Sequence, residues 1–205
     1  MSDNSSVLVV PTGTANLASI KAAFGRLRAT VVMAESPAQI AEAERVVLPG
    51  VGAFGASMAE VRDHGFDELL AARIRAGRPT FAVCVGLQLL FEASEESDGA
   101  QGLGVLPGVI GRLPDTVRVP QLGWNRVEPS PECRLVEPGH AYFANSYRAA
   151  PPAPEGWAAA TADHGGPFIA AIERGAVLGC QFHPELSGAW GQALMGRWLE
   201  RTAPC

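Results

Sequence analysis

Lysine is nearly absent from this chain of 205 residues: fifteen of its sixteen basic residues are arginine, and Lys21 is the only lysine. With 21 acidic residues, the formal net charge is −5. This balance argues against a nucleic-acid-binding protein, because such proteins usually present a basic surface. Charged residues make up 18% of the chain and hydrophobic residues 47%, a composition that fits neither a disordered chain nor a coiled coil.

Cysteine is scarce as well, and long apolar runs are missing. Four cysteines in 205 residues are too few for a disulfide scaffold. No apolar run approaches the roughly 20 residues that a membrane-spanning helix needs, and residues 1–6 lack the basic flank of a signal peptide. We therefore expect a cytoplasmic globular protein with reduced thiols, so that a thiol is available for chemistry.

The first half of the chain alternates strand-like and helix-like segments. Residues 7–10 form a short, wholly apolar run, which is typical of a parallel strand that is buried on both faces. Three further strands are predicted at residues 31–33, 46–48 and 80–83. Helices are predicted after Asn16, after Ser36-Pro37 and from Phe66 to Arg75, the last of them closed by Gly77. This βαβαβαβ order predicts a parallel sheet with helices on both faces.

The second half, from Gly108 to Gln181, contains short β-rich runs separated by proline and glycine. They predict antiparallel extension strands, and residues 187–201 predict a closing helix. Pro151–Pro154 favours a rigid surface loop over a linker, because strands resume directly after it. The expected fold class is therefore α/β: three layers, a mostly parallel central sheet, helices on both faces and antiparallel extension strands, in one domain over residues 1–205. The β-rich runs are residues 109–110, 117–119, 142–143, 168–169 and 177–178.

Residues 50–55 spell G-x-G-x-x-G directly after the third predicted strand. In a dinucleotide-binding fold, such glycines let a pyrophosphate approach the backbone at a helix N-terminus. That fold also needs an acidic residue about 20 residues further on, at the end of the next strand, but the next strand here ends at Cys84. The sequence therefore disfavours nucleotide binding, and the glycines can instead direct backbone N–H groups toward another ligand.

Cys84 ends the fourth predicted strand, and a helix is predicted to begin at Val85 and to continue to Phe91. Ala82 and Gly86 are the small residues that a sharp strand–nucleophile–helix turn, the nucleophile elbow, requires. Such a turn exposes the side chain above the carboxyl edge of the sheet, and a helix N-terminus favours a thiolate. A buried structural cysteine is an equally good interpretation of these residues alone.

His183-Pro184-Glu185 follows the apolar residues 177–182, so that a histidine lies just past a predicted strand. A thiol nucleophile needs a base, and the base needs a partner that fixes its tautomer. Glu185 can turn back onto the imidazole across the proline. A lone histidine is more often structural, but a His-x-Glu after a strand, combined with the cysteine elbow, favours a catalytic triad of Cys84, His183 and Glu185.

Other titratable residues carry weaker signals. Cys180 and His183 have a C-x-x-H spacing, but no second pair completes a zinc site, so no metal is expected. Cys133 and Cys205 are interpreted as incidental. The charged run around Glu95-Glu96 is either a solvated loop or a segment that brings one carboxylate to the site, where it can bind an ammonium group.

With these motifs in place, the chain resembles the class I glutamine amidotransferases, whose triad is Cys-His-Glu, and among them the glutaminase subunits of imidazole glycerol phosphate synthase. The likeness runs from about Val7 to Leu199. The elbow at residues 84–91 and the run 181–185 mark the class, whereas the Pro-Gly-Val-Gly loop, the Gly-Trp-Asn run and the Ser-Tyr pair mark the narrower family. The other segments that carry the likeness are residues 14–17, 48–55, 94–96, 102–104, 119–125 and 142–147.

The resemblance implies a role for each matching residue. Cys84 would attack the γ-carboxamide of glutamine and form a thioester, His183 would shuttle the proton, and Glu185 would orient His183. Backbone N–H groups would form the oxyanion hole. The implied oxyanion donors are Val51, Gly52 and Val85, and the implied glutamine-binding residues are Gln88, Glu96, Ser146 and Tyr147.

The resemblance also implies a partner. Ammonia would pass to a (βα)₈-barrel cyclase subunit in a heterodimer, which makes imidazole glycerol phosphate and an aminoimidazole ribotide in histidine biosynthesis. No cofactor is implied. Two other interpretations stay open: a stand-alone thiol hydrolase of the same fold, and a catalytically silent scaffold that only binds the partner.

Several positions depart from the family pattern. Ala82 stands where glycine is usual before the nucleophile, and it is small enough to keep the elbow. Gln121 and Asn145 stand where histidine is frequent, and both keep hydrogen-bonding capacity. Leu186 stands where a lysine usually reaches the cyclase, and an aliphatic side chain cannot form that ion pair.

Overall fold

A computed structural model describes residues 6–13 and 16–203, and nine of its strands form one large sheet. Thr14, Ala15 and Cys205 lie outside the described residues. The strands of the large sheet are β1 (Ser6–Val9), β2 (Thr30–Met33), β3 (Val46–Leu48), β4 (Thr80–Val83), β7 (Gln121–Pro129), β8 (Gly139–Asn145), β10 (Ala158–Asp163), β11 (Pro167–Arg174) and β12 (Val177–Cys180). A three-stranded sheet contains β5 (Ala93–Ser94), β6 (Val109–Arg112) and β9 (Tyr147–Arg148).

The strand order of the large sheet is β2-β1-β3-β4-β12-β11-β10-β7-β8. The first five strands run parallel to their neighbours, and the last four join antiparallel. The expected α/β fold with antiparallel extension strands is confirmed. Because β4 and β12 are parallel neighbours, with Cys180 opposite Val83, residues that follow these two strands meet at one edge of the sheet.

Six α-helices occur among the described residues, and most begin and end at the signals found in the sequence. Asn16 Oδ1 accepts the Ser19 N–H at 3.3 Å, and Ser36 begins the second helix with a capping box. Gly77, with φ 70°, ends the fourth helix. The helices are α1 (Leu17–Arg26), α2 (Pro37–Glu42), α3 (Phe54–Asp63), α4 (Asp67–Arg75), α5 (Val85–Gln88) and α6 (Gly188–Arg201).

The core between sheet and helices is apolar and rich in aromatic rings. Trp198 of α6 is fully buried, and its ring lies 5.3 Å from that of Phe81 on β4 and 6.4 Å from that of Phe24 on α1. These contacts fix α1 and α6 against the parallel strands. No helix among the described residues combines the length and the apolar character that crossing a bilayer would require.

The predicted strand at residues 117–119 is wrong. These residues lie in turns and bends between β6 and β7. Pro114 and Pro120 flank them and cannot donate to a strand ladder. The Arg118 carbonyl accepts a hydrogen bond from the His164 ring at 2.8 Å, so its partner is a side chain.

Helix α3 and the strands β5, β7, β9 and β10 lie outside the sequence predictions. The first N–H groups of α3 are capped from a distant loop: Phe54 N–H donates to Glu96 Oε2 at 2.7 Å and Gly55 N–H donates to Ser97 Oγ at 3.0 Å. Strand β10, with the sequence AAATAD, has little intrinsic β propensity. It pairs with β11 and β7, so its conformation depends on neighbouring strands.

Candidate active site

Cys84 occupies a sharp turn between β4 and α5. Its backbone angles are φ 54° and ψ −111°, and only one other non-glycine residue among the described ones, Arg28, has a positive φ. The turn demands small neighbours: a Cβ on Gly86 would lie 2.0 Å from the Leu48 carbonyl oxygen, and a Cβ on Gly50 would lie 2.6 Å from the Gly86 nitrogen. Such strain costs about 1–3 kcal/mol and is concentrated at functional sites.

Helix α5 is shorter than the predicted helix, which continued to Phe91. It ends at Gln88 because the chain that follows is held by another segment: Leu103 N–H donates to the Leu89 carbonyl and Leu106 N–H to the Leu90 carbonyl, both at 2.8 Å. A four-residue helix has a small macrodipole. Stabilisation of a thiolate at Cys84 therefore depends mainly on side chains.

His183 follows β12 and is held on both its backbone and its ring. Its N–H donates to the Tyr142 carbonyl at 2.9 Å, and its Nδ1 lies 2.9 Å from Glu185 Oε1. Ser187 Oγ donates to the His183 carbonyl at 2.6 Å and accepts the Tyr142 N–H at 2.9 Å. The turn across Pro184 thus brings the carboxylate onto the imidazole and leaves Nε2 for the sulfur.

The charges around His183 favour its protonated form. Burial by itself lowers the pKa of His183, but hydrogen bonds to Cys84 and Glu185, together with the negative charges of both groups, outweigh burial and raise the pKa to about 10. A protonated imidazole beside a thiolate is the resting state of many cysteine nucleophiles. The arrangement can therefore supply both a nucleophile and a proton.

The predicted site residues, with the exception of Glu185, line one cavity of about 260 Å³. Glu185 lies behind His183, where its side chain is 2% exposed. Pockets for drug-sized ligands are about 300–1,000 Å³, so this cavity suits a smaller molecule such as an amino acid. The other residues that line it are Pro120, Leu122, Ala144 and Asn145.

Two glutamines connect the cavity to the nucleophile. Gln88 Nε2 donates to the Tyr147 carbonyl at 3.3 Å and to Gln181 Oε1 at 3.0 Å. Gln181 Nε2 lies 3.7 Å from Cys84 Sγ. Both side chains are buried, so the elbow, β12 and the cavity wall share one hydrogen-bond chain.

The N–H of Val85, an implied oxyanion donor, is occupied in this structure. It donates to the Gly50 carbonyl oxygen at 3.3 Å. Gly52, two residues further, has φ 97°, a conformation that favours glycine. The Gly50 carbonyl thus takes the hydrogen-bond donor that an oxyanion beside Cys84 would need.

In the charged run around Glu95-Glu96, Glu95 is exposed and Glu96 is half-buried. Glu95 accepts the Arg112 N–H at 2.8 Å, and Glu96, which lines the cavity, accepts the Phe54 N–H at 2.7 Å. The second alternative from the sequence, one carboxylate that faces the site, is therefore the one the geometry matches.

The other described cysteines are unsuited to nucleophilic chemistry. Burial, together with the negative charges of Glu173 and Glu185, raises the pKa of the Cys180 thiol well above its ordinary value. Burial also raises the pKa of Cys133. Both thiols stay protonated at neutral pH, whereas Cys84 alone among the three described cysteines adjoins a protonated histidine.

Comparison with known proteins shows the family to which this chain belongs. The family profile "Glutamine amidotransferase class-I" matches residues 8–198. The imidazole glycerol phosphate synthase subunit HisH of Desulfitobacterium hafniense is 38% identical over 202 residues, which cover 95% of each chain. The chain belongs to the HisH family of class I glutamine amidotransferases.

A longer relative and a solved structure extend this comparison. The protein "Imidazole glycerol phosphate synthase hisHF, chloroplastic" of Arabidopsis thaliana is 37% identical over 207 residues, and the alignment covers 98% of this chain but only 35% of the relative. A crystal structure of a glutamine amidotransferase has a TM-score of 0.75 at 20% identity and covers 95% of this chain and 98% of its own. The structural likeness supports the fold of this amidotransferase.

The structure brings three further residues to the amidotransferase site, Gln181, Ser187 and Asn145, whose roles are not predicted from the sequence. Gln181 and Ser187 flank His183 and contact the nucleophile and the histidine backbone, respectively. Asn145 lines the cavity, and its Oδ1 is buried without a hydrogen-bond partner. The signal for the first two was their proximity to the His-x-Glu run, and for Asn145 it was the unusual residue type at that position.

Proposed function

We propose that this chain is the glutaminase subunit of imidazole glycerol phosphate synthase, in histidine biosynthesis, and that residues 1–205 act as one amidotransferase domain in the cytoplasm. One observation carries the proposal. In a chain of the HisH family, Cys84 lies on a strained elbow beside a protonated His183 that is bound to Glu185, at the wall of a cavity of about 260 Å³.

The chemistry begins with the thiolate of Cys84. Its sulfur attacks the γ-carboxamide carbon of glutamine, and His183 gives its proton to the departing nitrogen, so that ammonia leaves and a γ-glutamyl thioester remains. His183 then takes a proton from water, whose oxygen attacks the thioester. Glutamate and the thiolate are released, and Glu185 keeps the imidazole oriented and its charge stabilised in both steps.

The oxyanion hole requires a change at the glycine loop. The Gly50 carbonyl holds the Val85 N–H at 3.3 Å, so rotation of the Gly50–Val51 peptide must release that donor. In the proposed active geometry, the Val51 N–H then faces the reacting carbonyl, next to Gly52. Each donor of this kind contributes about 10²–10³ in rate, so the resting geometry keeps the free subunit slow.

Acceptor atoms in the cavity suit the ammonium group of the substrate. Both Nε2 hydrogens of Gln88 are used by Tyr147 and Gln181, which leaves Oε1 as the atom that Gln88 offers. Glu96 and the unpartnered Asn145 Oδ1 are further acceptors. Backbone groups at Ser146 and Tyr147 complete the amino-acid end of the site.

Leu122, an exposed apolar residue, lines the cavity. Leu122, Trp124 and Leu186 are 60%, 59% and 39% exposed, and an exposed apolar surface can serve as a protein–protein interaction site. The Arabidopsis relative is named hisHF and is nearly three times as long as the matched part, as expected if a cyclase portion is joined to it. We assign this surface to a (βα)₈-barrel cyclase in a heterodimer, with Leu186 making an apolar contact in place of an ion pair.

Glutamine hydrolysis by the chain, alone and with its cyclase subunit, tests the proposal. We expect little activity alone and strong stimulation by the cyclase, with a fall of at least about 10³-fold in Cys84→Ala. Cys133→Ala is the matched control and should stay within about twofold of wild type. Glutaminase activity that persists in Cys84→Ala would exclude the assigned nucleophile.

The same experiment separates the alternatives. Full activity without the cyclase would favour a stand-alone thiol hydrolase. A chain that neither hydrolyses glutamine with the cyclase nor is alkylated by a glutamine-analogue electrophile would be a silent scaffold.

A further inference from the structure

Gln181 is a fully buried polar side chain that the mechanism above does not use. It follows β12 directly, and its backbone N–H donates to the Ala170 carbonyl at 2.8 Å. Its relative exposure is 0%. A buried amide costs free energy unless it is hydrogen-bonded, so the partners of this side chain identify what it does.

The orientation of the Gln181 amide follows from a backbone carbonyl. The Tyr147 carbonyl can only accept, so the Gln88 atom that faces it at 3.3 Å must be Nε2. That same nitrogen lies 3.0 Å from the Gln181 side chain, so Gln181 must present Oε1 there. Its Nε2 therefore points to Cys84 Sγ, at 3.7 Å.

We propose that Gln181 is a positioning residue for the nucleophile: its amide N–H donates to the Cys84 thiolate and holds the sulfur against the cavity wall. The proposal rests on the proposed function, in which Cys84 attacks glutamine. A thiolate is a stronger acceptor than a thiol because donors bind charged acceptors more tightly. With a helix of only four residues behind the sulfur, the side-chain donors are Gln181 and His183.

The chain of hydrogen bonds also ties the nucleophile to the substrate pocket. Gln88 lines the cavity and is bound to Gln181, whose other end reaches the sulfur. The elbow places a strained Cys84 backbone at the start of α5, and Gln181 fixes the side chain from β12. The reacting sulfur is thus held by residues that follow two different strands, Cys84 after β4 and Gln181 after β12.

Alkylation of Cys84 by iodoacetamide tests this role, because the reagent reacts with the thiolate and requires no glutamine-binding site. The full chain is used, with Cys84→Ala as the background for the other thiols. In Gln181→Met, which has a similar volume and no donor, we expect alkylation at neutral pH to slow about tenfold, the effect of losing one donor to a charged acceptor. Gln192→Met, at a half-buried glutamine bound to Ala23 on α1, is the matched control and should stay within twofold.

The dependence of the alkylation rate on pH distinguishes a positioning role from a merely structural one, because a structural role would leave this dependence unchanged. The titratable groups facing Cys84 are His183, with Glu185 behind it, and Glu96 and Tyr147 across the cavity. All of these remain in Gln181→Met, so a move of the curve to higher pH reports the lost donor. A folded Gln181→Met with the wild-type rate and curve would overturn the proposal.

Gln181→Glu keeps the test decisive if the methionine variant does not fold. The glutamate retains an acceptor for Gln88 but sets an oxygen against the sulfur, so alkylation should slow by more than tenfold. Wild-type alkylation in this variant would also overturn the proposal. Slow alkylation in the Gln181 variants, combined with glutaminase activity that persists in Cys84→Ala, would uphold the positioning role and reject the proposed function.

Discussion

Glu173 and Glu185 are both buried glutamates beside β12, but their carboxylates have different partners. Glu173, 5% exposed on β11, accepts backbone N–H groups with both oxygens: Oε1 from Arg134 and Leu135, and Oε2 from Leu135 and Val136. Glu185, 9% exposed, binds His183 through Oε1 only, and its Oε2 has no hydrogen-bond partner among the described residues.

Under the proposed function, the difference separates a structural carboxylate from a functional one. Peptide N–H groups cannot titrate, so the carboxylate of Glu173 holds the loop at residues 134–136 against the sheet and exchanges no proton with these partners. Glu185 faces a group that gains and loses a proton, and one of its oxygens is left without a partner, which costs stability. A buried charge that the fold leaves incompletely satisfied is thus the better sign of chemistry.

The largest effect is expected at the functional carboxylate. Glu185→Gln keeps the shape but removes the charge that orients and stabilises the His183 imidazolium. We expect the cyclase-stimulated glutaminase rate to fall about 10³–10⁴-fold, as for a triad that loses its acid, while the free energy of unfolding changes by only about 1 kcal/mol. Steady-state kinetics and urea unfolding measure the two quantities.

A Glu185→Gln enzyme that keeps more than a tenth of the wild-type rate would exclude Glu185 as the functional carboxylate. The exposed Glu155 provides the control, since Glu155→Gln should change neither rate nor stability.

The reverse pattern is expected at the structural carboxylate. Glu173→Gln sets an amide NH₂ against backbone donors and leaves at least one of them unpaired. We expect the free energy of unfolding to fall by about 2–4 kcal/mol, because bonds to a charged acceptor are each worth about 1.5–3 kcal/mol. The glutaminase rate per folded molecule should stay within about threefold. Urea denaturation, paired with activity below the unfolding transition, checks both; a large loss of rate in the folded protein would contradict the division.

The smallest effect concerns pH. The pKa of His183 is about 10 in the fold and 6.5 as a free side chain, so the folded state holds this proton more tightly. The contribution of His183 to stability is therefore complete below pH 6.5 and is lost as pH rises through 10. We expect the stability advantage of wild type over His183→Gln to decline as the pH rises across this window.

Urea unfolding at pH 6, 8 and 10 measures that decline. The deficit of Glu173→Gln should remain constant over the same range, because its N–H partners do not titrate. If the stability deficits of His183→Gln and Glu173→Gln depended equally on pH, the distinction between the two glutamates would be rejected.

Much of the parallel half of the fold is predictable from the sequence. Runs such as Val46–Leu48 and Thr80–Val83 match β3 and β4 residue for residue, because a strand buried on both faces is mostly apolar and rich in β-branched residues. Helix signals also act locally: Asn16, Ser36 and Gly77 start or end helices through contacts within a few residues.

The antiparallel half is less predictable, since its strands depend on partners far along the chain. Residues 117–119 contain two valines yet form no strand, whereas the alanine-rich β10 does. Helix α3 likewise starts where Glu96 and Ser97 reach its first N–H groups from about 40 residues away. Local propensity cannot encode such contacts.

The sequence by itself determined which chemistry this protein carries: a cysteine between a strand and a helix with small neighbours, and a histidine two residues before a glutamate. These are local patterns, and local sterics dictate them. Only the tertiary structure decided that β4 and β12 are neighbours, that Gln181 reaches Cys84 across 97 positions of sequence, and that the Gly50 carbonyl holds the Val85 N–H. The reason is physical: strand order and loop packing result from burial of the whole chain.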